Sequence, residues 1–327
     1  MAVLAGCAGT PPSMSTFVPR SDYARSIHAL YLQVIGWDTV ILLVVIVALL
    51  LVLLRFSTRS EDVPAALPES REHIGLEIAW TVGPALVLLA IALPTIRTTF
   101  RSQPSTAPAN ALHVRVTAHQ WWWEVRYPDL GITTANEIHI SVGRPARFLL
   151  ESADVIHSFW VPGLGGKQDI IPGRPNTLTF TPNTPGMYFG QCAEFCGLSH
   201  ANMRFRVFVD TAEQFETWSA HQHAPASVPG RPWDTAGAVA AGARLFASSP
   251  CVTCHAVTGV STQRIGPDLT HFGSRLTLAG GTLENTPDNI AAWLRDPAAL
   301  KPGAQMPDLG LSSAEIAQLT AYLDSLK

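Results

Sequence analysis

Gly190-Gln191-Cys192-Ala193-Glu194-Phe195-Cys196-Gly197-Leu198-Ser199-His200-Ala201-Asn202-Met203 places two cysteines, a histidine and a methionine on one short stretch, and His157 lies 35 positions upstream of Cys192. One thiolate, two imidazoles and a weak thioether are the ligands of a mononuclear blue-copper site. The second cysteine changes the count. Two sulfurs four residues apart can each bridge two copper ions, so that each metal keeps one histidine and the pair shares a single electron. That arrangement is the binuclear centre called CuA. A disulfide would explain neither histidine, and a tetrahedral zinc site would not need Met203. Ligands of this kind sit on loops held by a rigid scaffold, which points the surrounding chain toward a β-sandwich.

The flanking sequence agrees. Leu112-His113-Val114-Arg115-Val116 and Arg204-Phe205-Arg206-Val207-Phe208-Val209 alternate apolar and polar residues, with breaks at Gly143, Pro162-Gly163, Pro172-Gly173 and Pro182-Asn183. A sandwich of about 100 residues, over 108–212, is expected. Trp218 to Trp233 holds Pro225, Pro229, Gly230 and Pro232 and reads as a linker, taken as 213–234. From 235 to 327 the pattern is helical, with segments expected at Ala236–Phe246, Thr286–Arg295 and Ser312–Leu326, the last begun by Ser312 with Glu315 three residues on.

Inside that helical region Cys251-Val252-Thr253-Cys254-His255 is the Cys-x-x-Cys-His pattern of covalent c-type haem attachment. The two cysteines would form thioethers and His255 would be the proximal ligand. Met306 is the only methionine after Met203 and is the expected second axial ligand. His271 is its rival, and is otherwise expected at the surface or beside a propionate. A zinc or thioredoxin-like Cys-x-x-Cys would need two further nearby ligands or a βαβ context, and neither is present.

Two cysteines for copper and two for haem leave one of the five, Cys7, and no pair for a structural disulfide. Leu4-Ala5-Gly6-Cys7 matches a lipobox, so Cys7 is expected to carry a lipid within an N-terminal segment, 1–28.

Only 14% of the 327 residues are charged and 47% are hydrophobic, an imbalance with a local cause. Val40 to Leu54 is fifteen apolar residues without a break, and Ile78 to Ile96 is nineteen uncharged residues closed by Arg97 and Arg101. Joined by a short charged loop, they predict a transmembrane hairpin over 29–100. Haem is attached to such motifs after export, so both termini are expected on the periplasmic side of a bacterial cell membrane. With a formal net charge of −3, no nucleic-acid partner is expected.

Together these motifs resemble subunit II of a haem–copper cytochrome c oxidase, of the variety with a cytochrome c fused to its C-terminus. The resemblance runs from about Ile27 to Lys327. It implies a transmembrane hairpin, an all-β cupredoxin-like domain and an all-α class I cytochrome c domain. By this resemblance His157, Cys192, Cys196, His200 and Met203 take the side-chain ligand positions, while Glu194 gives a backbone carbonyl to copper and a carboxylate to magnesium shared with subunit I. His119-Gln120-Trp121-Trp122-Trp123 resembles the family's tryptophan-rich region, in which Trp121 is the point where electrons arrive. Glu77 resembles a carboxylate at the mouth of a proton pathway. The implied partners are subunit I, subunit III, a soluble cytochrome c or another donor, and membrane lipid. The implied reaction is electron delivery for reduction of O2 to water coupled to proton translocation.

Three other readings differ at the residues. A quinol oxidase subunit lacks the copper ligands. Nitrous oxide reductase needs a second, histidine-rich copper cluster, and the remaining histidines here are scattered. A free-standing tethered carrier would have no oxidase attached. Finally, Leu112–Thr211 carries eight acidic and eight basic residues and Ala236–Lys327 seven and six. Charge steering between the two domains is therefore expected to be weak, and the linker is expected to supply their encounter.

Overall fold

The computed structural model describes residues 14–57, 73–102, 106–226 and 237–327, which fall into two compact units. Cys7, most of the loop between the apolar runs and the core of the Pro/Gly-rich linker lie outside the described residues.

The smaller unit, Arg25–Ser102, is a helical hairpin. Its helices are α1 (Asp22–Arg55) and α2 (Ile74–Ser102), each long and apolar enough to span a membrane. Gln33 Nε2 donates to the Ala90 carbonyl at 3.1 Å, tying the two together. Rows of Leu, Ile and Val stand exposed on both helices, as a lipid-facing surface requires.

In the larger unit ten strands form two five-stranded sheets. These are β1 (Leu112–His119), β2 (Trp122–Tyr127), β3 (Ile132–Ala135), β4 (Glu137–Ser141), β5 (Ala146–Ser152), β6 (His157–Trp160), β7 (Gln168–Ile170), β8 (Asn176–Phe180), β9 (Gly186–Cys192) and β10 (Arg204–Asp210). One sheet runs β3-β2-β1-β5-β8 and the other β4-β10-β9-β6-β7. The alternation read at 112–116 and 204–209 is realised in β1 and β10, whose apolar residues point inward. Between the sheets Trp123, Phe148, Phe159, Phe180 and Phe205 are buried, with Trp123 edge-on to Phe159 at 5.9 Å. A Cβ on Gly190 would sit 2.2 Å from the Phe205 ring, so β9 needs glycine there for the sheet beside the copper loop to close. The start of the described chain belongs to this unit: Ser21 Oγ donates to Leu164 O at 2.6 Å and Arg20 N to Gly163 O at 2.8 Å.

The linker expected at 213–234 is corrected in its first half. Residues Ala212–His223 form α3, begun by a capping box between Thr211 and Gln214. Phe215 is buried, and Trp218 stacks on His139 at 4.4 Å and meets Tyr127 at 5.1 Å. The aromatic pair gives this helix a sandwich face to cover, which is why it folds onto β3 and β4 instead of trailing free.

The haem-motif region is helical, as expected. It contains α4 (Ala238–Ser248), α5 (Cys251–Cys254), α6 (Pro287–Arg295), α7 (Pro297–Leu300) and α8 (Ser313–Ser325), with a hairpin of β11 (Thr277–Leu278) and β12 (Leu283–Glu284). Helices α4 and α8 cross closely, since a Cβ on Gly242 would lie 2.0 Å from Gln318 O. Ser312 and Glu315 form the capping box read from the sequence.

Candidate copper and haem sites

The copper loop is the connection from β9 to β10. Cys192 ends β9, His200 opens a short 3-10 turn, Met203 precedes β10, and β6 brings in His157. Cys192 Sγ lies 3.8 Å from Cys196 Sγ and 3.8 Å from His157 Nδ1. Cys196 Sγ lies 3.6 Å from His200 Nδ1 and 3.8 Å from Met203 Sδ. The Glu194 carbonyl oxygen is 3.2 Å from Cys192 Sγ, while the Glu194 side chain is exposed. All five predicted side-chain ligands and the Glu194 carbonyl thus converge, and two thiols, two imidazoles, a thioether and a carbonyl are a donor set suited to copper.

The thiol chemistry suits a site that takes up metal cations. The Cys192 thiol is drawn far below the ordinary thiol range, first by its hydrogen bond with Cys196 and then by His157 against the cost of burial. Cys196 is pushed up by the same neighbour and by burial. Two bare thiolates 3.8 Å apart repel, so the second proton leaves when a metal supplies the compensating charge.

Asp154, which sequence reasoning missed, completes the site. His157 Nε2 donates to Asp154 Oδ1 at 2.7 Å, leaving Nδ1 free to face the sulfurs. Burial lowers the His157 pKa, but its bonds to Asp154 and Cys192 outweigh burial and hold it above the ordinary value. The available signal was an acid three residues before a ligand histidine.

The haem motif opens on a cavity of about 290 Å³. Cys251, Cys254, His255 and Met306 all line it, with Phe246, Ile290, Leu294 and Leu319 making its walls apolar. His255 Nδ1 donates to Pro267 O at 2.8 Å, which fixes the ring and leaves Nε2 available to a metal. Burial holds the imidazole below its ordinary pKa, in the neutral form that binds iron. Trp293 Nε1 donates to Met306 Sδ at 3.1 Å. Arg275 also lines the cavity, and its Nε is buried without a hydrogen-bond partner among the described residues. An acidic group of a bound cofactor would satisfy it, so the residues present fit a haem. His271 is neither at the surface nor on the cavity wall. It is buried against His221, with Nε2 3.2 Å from Gln222 O.

Trp121 joins the two sites. It lines the haem cavity, and its Nε1 donates to Cys196 O at 3.0 Å. Trp122 lines the cavity too, stacked on His119 at 4.3 Å, while Trp123 is core. Glu77 lies exposed in the first turn of α2.

Three family models match this chain: the transmembrane domain of cytochrome c oxidase subunit II at residues 17–98, its periplasmic domain at 130–209, and cytochrome c at 239–327. A cytochrome c oxidase subunit 2 of Alkalihalophilus pseudofirmus is 34% identical over 99% of this chain and 94% of its own length. Another, from Bacillus sp. strain PS3, is 39% identical over 77% of this chain and 74% of its own. A quinol oxidase subunit 2 of Bacillus cereus is 28% identical over 67% of this chain and 76% of its own, which stops short of the whole length that the first relative spans. With membrane hairpin, sandwich and helical haem-motif domain all matched in order, the chain belongs to the cytochrome c oxidase subunit II family, in the form that carries a fused cytochrome c domain.

Proposed function

We propose that this chain takes up electrons at a covalent haem c and passes them through a binuclear CuA centre to the haem of subunit I, where O2 is reduced to water with proton translocation. When bound, haem and copper pair supply the one-electron carriers. Cys251 and Cys254 would hold the haem covalently, and His255 and Met306 would bind its iron. His157, Cys192, Cys196, His200, Met203 and the Glu194 carbonyl would hold the copper pair. The observation that carries the reading is Trp121, whose indole borders the haem cavity at one end and donates to the carbonyl of a copper-ligand cysteine at the other. A single side chain spanning two redox sites is a short path for an electron.

The Glu194 carboxylate, exposed on the copper loop, would bind magnesium at the contact with subunit I. Glu77 would serve a proton pathway, Cys7 would carry a lipid, and both termini would face the periplasm. Subunit III and a soluble cytochrome c or another donor complete the partners. Purification from native membranes in mild detergent tests the reading: a haem a or haem b spectrum should accompany the haem c of this chain. A preparation with haem c and copper alone would make the protein a free-standing tethered carrier.

A further inference from the structure

The haem domain sits on the copper domain through a polar interface that neither domain needs for its own core. Glu137, at the start of β4, is 5% exposed. Its Oε1 accepts from Leu276 N at 2.7 Å and Thr277 N at 3.1 Å, both in the haem domain. Lys301, from the haem domain, is 4% exposed and donates to Trp121 O at 2.6 Å and to Ala279 O at 2.8 Å. Each domain therefore sends one buried ionisable group into the backbone of the other. Around them Arg204 N donates to Gly280 O at 2.8 Å and Ser199 Oγ to Pro302 O at 2.6 Å.

The backbone is shaped to this contact. Gly280 and Gly303 hold φ of 70° and 79°. A Cβ on Gly280 would lie 2.7 Å from Trp121 O, and one on Gly303 2.8 Å from the Trp121 ring. Left-handed glycines at these points let the β11–β12 turn and the segment before Met306 approach Trp121 closely.

We infer that Glu137 and Lys301 are reciprocal positioning residues that lock the haem domain in one seat over Trp121, so that haem-to-copper transfer runs within a fixed assembly. An unpaired carboxylate or ammonium buried in an interface is costly, so a half-docked arrangement that keeps either group dry but unbonded is disfavoured. The seat also covers Trp121, which is buried. An external donor must then reduce the haem domain, because its access to the tryptophan is blocked.

Hydrogen exchange on the purified full chain in detergent tests the seat directly. The amides of Leu276, Thr277 and Arg204 should be protected together. Exchange at the rate of free amides, with core amides still protected, would overturn the inference. Flash reduction supplies the second arm, which rests on the haem-to-copper reading above. In the parent chain the internal transfer should be single-phase and independent of solvent viscosity. Glu137→Ala and Lys301→Leu should each slow it about tenfold, on the order of 1.4 kcal/mol, and make it viscosity-dependent, with both redox centres keeping their spectra. Glu137→Gln, whose amide oxygen still accepts from both backbone amides, should restore most of the rate. Unchanged rates in the Ala and Leu variants would refute the positioning role. If a variant fails to fold, exchange in the parent chain still decides. Failure of the electron-transfer reading itself would show as a missing haem or copper spectrum in the parent, before any variant is made.

Discussion

The copper loop and the haem cavity differ in how much of each site the polypeptide makes alone. At the copper loop four donor atoms already lie within 3.8 Å of one or other of two cysteine sulfurs, and Asp154 orients the His157 ring from behind. At the haem cavity the chain supplies an apolar pocket, two cysteines, two axial candidates and an unpartnered guanidinium nitrogen. On the proposed reading a metal pair would be gripped by a few atoms on the sandwich, whereas a macrocycle would be enclosed by the apolar walls of the helical domain. Tuning at the copper loop should therefore reside in the atoms behind the ligands, and at the cavity in the axial ligand.

The largest expected effect breaks the copper half. Cys196→Ser removes one of the two sulfurs proposed to hold the copper pair and should leave at most one copper per chain by metal analysis, with the haem spectrum unaltered. Next comes the haem half: Met306→Ala replaces a thioether ligand, and redox titration should find the haem potential lowered by on the order of 0.1 V. A normal potential would remove Met306 from the axial position. Asp154→Ala sharpens the comparison, because it touches no metal yet frees the His157 ring. Copper affinity in competition titrations should fall about 10- to 100-fold, with the haem domain indifferent.

The smallest effect belongs to the junction between the halves. Burial lowers the Lys301 pKa to about 7 against the attraction of the Cys196 sulfur. Above that pH the folded chain holds the neutral amine, which still has the two N–H groups its two carbonyl partners need. The unfolded chain remains protonated until about pH 10.4. Unfolding then binds a proton, so stability rises with pH across this window, by on the order of 1 kcal/mol per unit at most. The denaturant midpoint followed at the haem band should increase from pH 7 to pH 9 in the parent chain, and Lys301→Leu should flatten that rise.

The same contrast explains what could be read from the chain. All the candidate copper ligands but His157 sit on one loop and the Cys-x-x-Cys-His motif on one helical turn, so spacing exposed most of both sites. Spans and alternating strands were equally local. Helix α3 was missed because the proline-rich residues after Ala224 coloured the reading of those before it, although Thr211–Gln214 carried a capping box and Phe215–Trp218 an apolar pair. The docking interface was illegible for a different reason. Glu137 finds its partners 139 and 140 positions away and Lys301 finds Trp121 180 away, and no local pattern encodes such pairs. Near-neutral charge on both domains suggested encounter through a tether. The structure instead has buried ionisable side chains meeting backbone, which net charge does not register.

Metal analysis with electron paramagnetic resonance on the full purified chain asks whether two cysteines hold a pair of coppers beside Trp121. Two coppers and one haem per chain are expected, with one unpaired electron shared equally by both copper nuclei in the oxidised state. A single copper with an electron confined to it, or zinc in place of copper, would contradict the copper-pair reading.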